Sequence, residues 1–234
     1  MQPDHPGATP CPSPNHGARR GAARPDMIVL HYTGMESCRA ALARLCEPAA
    51  EVSAHYLISE TGTLWQLVPE ARRAWHAGAG CWGAVRDVNS RAIGIELAND
   101  GAQPFAAPQM AALEDLMRGV MARWSIRPER VIAHSDMAPT RKRDPGPRFD
   151  WRRLALGGLS VWPQEPPEEA PPESDFLHHA RAFGYPVDAG AADVLTAFRL
   201  RFRPWASGPC TATDTALAAD LARRFPVDRA ACNA

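Results

Sequence analysis

Residues 161–174 (VWPQEPPEEAPPES) hold five prolines and four glutamates. Proline fixes φ and has no backbone N–H, so neither a helix interior nor a central strand runs through such a stretch. Prolines this dense stiffen a chain into an extended spacer. The 234-residue chain is therefore read in four parts. Residues 1–26 form an irregular arm rich in Pro, Gly and Arg. Residues 27–160 form the main domain, residues 161–174 a linker, and residues 175–234 a small helical domain near the lower size limit for folding alone.

Composition removes several function classes. Lys+Arg and Asp+Glu are both 26, so the formal net charge is zero and no overall basic grip on nucleic acid is expected. No apolar run is long enough for a membrane span. Residues 1–26 lack the apolar core of a secretory signal. This points to a cytoplasmic protein, with the periplasm or cell envelope as the alternative. The six cysteines make no C-x-x-C pair and are expected as free thiols. Oligomeric state has no sequence signal.

In the main domain, residues 27–32 (MIVLHY) are a short apolar run that predicts a buried strand. Residues 39–46 predict a short helix. Residues 54–69 predict a hairpin whose turn uses Gly62 for positive φ. Residues 76–91 predict a glycine-containing loop, and residues 92–97 (AIGIEL) another strand. Pro108 opens a helix in which Met110, Leu113, Met117, Val120, Met121 and Trp124 share one face. Residues 130–133 predict a fourth strand and residues 139–151 a loop. This order implies an α/β or α+β fold with a mixed sheet. Beyond the linker, helices are predicted near 175–183, 191–202 and 213–224, with Ser174 and Thr213 as N-caps.

His31 closes the first strand and His134 follows the fourth. Strand ends gather at one edge of a parallel sheet, where ligands bind, so the two histidines can converge. With Asp144 they form a set known to hold catalytic zinc; the other reading is of ordinary strand-end histidines. Glu96 lies inside an apolar strand. It is either a buried carboxylate suited to general-base work or a solvent-facing residue of an edge strand. Lys142 can stabilise an oxyanion or belong to a solvated charge run. His55 and His76 can orient substrate or pack structurally, and Trp82 is a further candidate for substrate contact.

Taken together, VLHYT (29–33), SAHYLI (53–58), AWHAG (74–78), IGIEL (93–97), AHSD (133–136) and RKRDPGP (141–147) resemble the zinc N-acetylmuramoyl-L-alanine amidases of the second amidase type. That group includes muropeptide-recycling enzymes and the peptidoglycan-recognition fold. The resemblance implies an α/β fold with a mixed central sheet flanked by helices, plus a small three-helix C-terminal domain. It implies Zn²⁺ on His31, His134 and Asp144. It gives Glu96 the activation of water and Lys142 the stabilisation of the tetrahedral intermediate. Phage relatives use Cys as third ligand and a Tyr in the hairpin; here those positions are Asp144 and Ala54. The implied reaction cuts the amide between N-acetylmuramic acid and L-alanine, in peptidoglycan or anhydromuropeptides. The alternative is a non-catalytic peptidoglycan-binding module. FGY (183–185) and AF (197–198) resemble, more distantly, a peptidoglycan-binding domain. The usual Asp-Gly turn appears there as DAG (188–190), so the tail either binds glycan or packs on the main domain.

Overall fold

The structure is a computed structural model and describes residues 1–164 and 172–227. In chain order its strands are β1 (Thr9–Pro10), β2 (His16–Gly17), β3 (Met27–Tyr32), β4 (Tyr56–Ile58), β5 (Leu64–Gln66), β6 (Arg73–Ala74), β7 (Ala92–Leu97) and β8 (Val131–Ala133). Its helices are α1 (Cys38–Cys46), α2 (Val88–Arg91), α3 (Ala107–Trp124), α4 (His134–Met137), α5 (Trp151–Leu156), α6 (Phe176–Phe183), α7 (Ala191–Phe202) and α8 (Ala212–Arg224). Six strands form one sheet in the order β1-β5-β4-β7-β3-β8. Every pairing is parallel except the β4–β5 hairpin, where Gly62 has φ 84° as the turn requires. The mixed α/β sheet is the one expected.

β3 and β7 are central, which explains why they read as continuous apolar runs: both faces are covered. Alternation divides their side chains between two cores. Ile28, Leu30, Ile93 and Ile95 pack against Met110, Leu113, Met117 and Val120 of α3. Met27, Val29 and Ala92 point the other way. There they join Phe176, Phe183, Phe198, Phe202 and Leu221 from the C-terminal helices. Each large side chain buried in these layers contributes about 1.5–3 kcal/mol by transfer from water. The C-terminal helices thus share a core with the sheet, and residues 165–171 of the expected linker lie outside the described residues.

Three local expectations are corrected. The arm is not irregular throughout: β1 adds to the sheet edge beside β5, and β2 pairs antiparallel with β6, while most of the remaining residues have no regular structure. Arg19 fastens it by donating to the carbonyls of Glu70, Ser90 and Ala92. Two-residue strands carry no periodicity, so the sequence hides them. Thr213 is not an N-cap. Thr211 fills that role, in a reciprocal capping box with Asp214. Ser174 is not one either; it lies in the 3-10 turn Glu173–Asp175 that leads into α6. Cys11, Cys38, Cys46, Cys81 and Cys210 are unpaired thiols, and Cys232 lies outside the described residues. Among the described residues no helix is long and apolar enough to cross a membrane.

Candidate metal centre

Strand register builds the site. His31 of β3 pairs with Glu96 of β7, and Leu30 pairs with Ala133 of β8. His134, one residue beyond Ala133, therefore emerges beside His31 at the carboxyl edge of the sheet. His31 and Glu96 leave the face opposite Leu30 and Ile95, away from α3. Asp144 arrives from the loop after α4, held by Ser135 N–H donating to its carbonyl at 3.0 Å.

Three atoms converge. His31 Nδ1, His134 Nδ1 and Asp144 Oδ2 are each 2.9 Å from the other two. All three residues are buried. His134 Nε2 faces the Ala77 carbonyl at 2.8 Å. A carbonyl only accepts, so Nε2 carries the proton and Nδ1 is bare. With the same tautomer, His31 donates its Nε2–H to His76 Nδ1, 3.1 Å away. Two bare imidazole nitrogens and a carboxylate oxygen then aim at one point. Such donors repel one another unless a cation lies among them, so the set fits a metal ion.

Electrostatics agree. Burial and the neighbouring His134 lower His31 to about 4, so it is neutral as a ligand must be. Burial pushes the Asp144 carboxyl up, but the His134 and His31 side chains beside it overcome this and hold it well below the usual range. Glu96 behaves oppositely. Burial, then the Asp144 charge, pushes it well above the ordinary carboxylate value, against the pull of Lys142. Glu96 Oε2 is shut off from solvent and accepts no hydrogen bond among the described residues. This excludes the edge-strand reading. Glu96, Lys142, His76 and the three converging residues line one cleft of about 440 Å³. A larger hollow, about 650 Å³, lies between α6, α7 and residues 204–210 and holds none of them.

A family model described as N-acetylmuramoyl-L-alanine amidase matches residues 21–147, which contain every one of these residues. The chain belongs to the N-acetylmuramoyl-L-alanine amidase family. This amidase is 34% identical to N-acetylmuramoyl-L-alanine amidase AmiD of Escherichia coli over 90% of its own length and 87% of that protein. It is 31% identical to 1,6-anhydro-N-acetylmuramyl-L-alanine amidase AmpD of Enterobacter cloacae, over 61% of this chain and 86% of the other. The solved complex of E. coli AmiD with anhydro-N-acetylmuramic acid-L-Ala-D-γ-Glu-L-Lys matches with a TM-score of 0.79 at 34% identity. It covers 89% of this chain and 92% of AmiD. AmpDh3 of Pseudomonas aeruginosa bound to anhydromuramic pentapeptide matches with a TM-score of 0.77 at 29% identity, covering 87% and 93%.

Two site expectations are corrected in this amidase. His55 does not reach the cleft. It is 0% exposed; Nδ1 accepts from Gly94 N–H at 2.9 Å, which leaves Nε2 to donate to the Arg72 carbonyl at 3.0 Å. Its ring backs His76, centroids 5.8 Å apart. Trp82 is 1% exposed and packs edge-on against Phe183 and Tyr185, so it joins the C-terminal helices to the sheet core. His76 does line the cleft. It lies flat over β7 because Gly94 has no side chain: a Cβ there would be 2.4 Å from the His76 ring. Sequence reasoning missed the Ala77 carbonyl and Arg141, which donates to that same oxygen at 2.5 Å. A backbone acceptor leaves no trace in residue identity. Arg141 stood in a charge run with nothing to single it out.

Proposed function

We propose that this amidase hydrolyses the amide joining the lactyl group of N-acetylmuramic acid to L-alanine of the stem peptide, with zinc held by His31, His134 and Asp144. Anhydromuropeptide fragments are the proposed substrate class, as in the AmiD complex. The observation that carries the reading is the convergence of three ligand atoms beside half-buried Glu96, whose Oε2 is shut off from solvent and unpartnered among the described residues. Zinc, when bound there, supplies a Lewis acid for the amide carbonyl and lowers the pKa of water to about 7.

The chain's own residues divide the remaining work. Glu96, with its raised proton affinity, takes the proton from the attacking water and delivers it to the departing amine. Lys142 brings a positive charge to the same cleft and stabilises the oxyanion. His76 and Ala77 fix the ring orientations of His31 and His134. Residues 27–160 hold these groups, and the C-terminal helices support them from behind. A module that only bound the wall would gain nothing from an unpartnered carboxylate beside a ligand set.

The test is mass spectrometry of products from zinc-loaded protein given soluble anhydromuropeptide or intact peptidoglycan sacculi. Free stem peptide beginning at L-Ala is the expected product, with the soluble fragment preferred. Faster release from sacculi reassigns the substrate to the intact wall. No release from either, with zinc bound, leaves only the binding module.

A further inference from the structure

His134 is the first residue of α4, a helix of four residues. A single turn has little stability of its own, so its orientation depends on what caps it. Asp136 does this: Oδ2 accepts from the backbone N–H of Ala133, the residue just before the histidine, at 2.9 Å. Asp136 is 0% exposed, and a carboxylate that deep requires a partner.

Its partners come from far along the chain. Tyr185 Oη donates to Oδ1 at 2.7 Å, and Arg201 Nη1 donates to Oδ2 at 2.6 Å. Arg201 also donates through Nη2 to the Val131 carbonyl in β8 at 2.9 Å. It therefore grips the strand before His134 and the helix that starts with it. Its guanidinium lies 4.3 Å from the Trp151 ring centroid, which fixes its plane. Arg199 on the same helix makes a useful contrast. Its bonds go to Asp214, Gly208 and Pro209, all within the C-terminal part.

We infer that the C-terminal helices complete the metal centre: Arg201 and Tyr185 are positioning residues that hold His134 in place through Asp136. The inference rests on the metal-binding reading given above. It assigns to the tail a role in the reaction that requires no contact with substrate.

The experiment is a chelator-competition titration of zinc on the full chain, alongside the absorption spectrum of the cobalt-substituted protein. Wild type is compared with Tyr185→Phe, Arg201→Met and Arg199→Met, each checked for folding by circular dichroism. Arg201→Met should bind zinc about 10- to 100-fold more weakly, and Tyr185→Phe should shift in the same direction by less. Both should alter the cobalt bands. Arg199→Met should lose thermal stability yet keep wild-type zinc affinity and cobalt spectrum. Should Arg201→Met fail to fold, Tyr185→Phe decides. Unchanged affinity and spectrum in the folded variants would overturn the inference, as would equal weakening by Arg199→Met. Wild-type protein that takes up no zinc would instead overturn the metal-binding reading itself.

Discussion

Glu70 is buried and Glu96 is half-buried with its Oε2 shut off from solvent, and their surroundings treat the two carboxylates in opposite ways. Glu70 is 1% exposed. Tyr56 Oη donates to its Oε1 at 2.7 Å, Arg123 Nε to its Oε2 at 3.0 Å, and Trp124 Nε1 to its Oε2 at 2.6 Å. Burial raises this carboxyl, but the bonds from Arg123, Tyr56 and Trp124 outweigh it and leave it below the usual value. Glu96 has an oxygen with no partner among the described residues and a strongly raised proton affinity. The fold satisfies the carboxylate that ties the hairpin to α3 and leaves bare the one that faces the cleft. Local rules broken at one buried polar group and kept at another mark where structure gives way to chemistry.

The contrast can be attacked by substitution. Glu96→Gln should lower kcat by about 10²–10⁴-fold, the range for a positioned acid–base group, with zinc content retained. Glu70→Gln should leave turnover per folded molecule intact but cost about 1–3 kcal/mol of stability, because buried donors lose their charged acceptor. Urea unfolding monitored by tryptophan fluorescence measures this, and a turnover loss with unchanged stability would reverse the assignment. Thr211→Ala, which removes the cap of α8 without touching either glutamate, should cost about 1 kcal/mol and leave zinc binding unchanged.

Acid titration of the metal-free protein sharpens the same comparison. Glu70 has a lowered folded value, so its contribution is complete above the unfolded carboxylate value of about 4.3 and is lost as pH falls through the folded one. Asp214 acts with the same sign. Burial raises it, but bonds from Arg199, Thr211 and Arg203 hold it to about 2. Glu96 has the opposite sign. Its cost is absent at low pH and grows as pH rises from the unfolded value towards the raised folded one. Metal-free Glu96→Gln should therefore melt slightly above wild type at neutral pH, with the difference vanishing in acid. A lower melting temperature at neutral pH would mean that Glu96 has a stabilising partner after all.

The site was legible where chemistry and local pattern coincide. His31 and His134 stand at the ends of apolar runs, Glu96 stands inside one, and the short motifs around them extend to Lys142 and Asp144. Burial and pairing were not legible. His55 and Trp82 have residue types suited to a cleft, yet tertiary packing assigned one to the β7 backbone and the other to the core. Tyr185 and Arg201 meet Asp136 across 49 and 65 residues, and no local periodicity reports such a contact. Thr213 and Thr211 differ only in which backbone N–H lies in reach. The arm's strands have too few residues to alternate.

The most direct test measures zinc and turnover in one preparation of Glu96→Gln, using soluble anhydromuropeptide and mass spectrometry of the released stem peptide. The expected result is wild-type zinc content with product formation reduced by at least about a hundredfold. Product at the wild-type rate would contradict the account, because Glu96 would then be a half-buried carboxylate without a task.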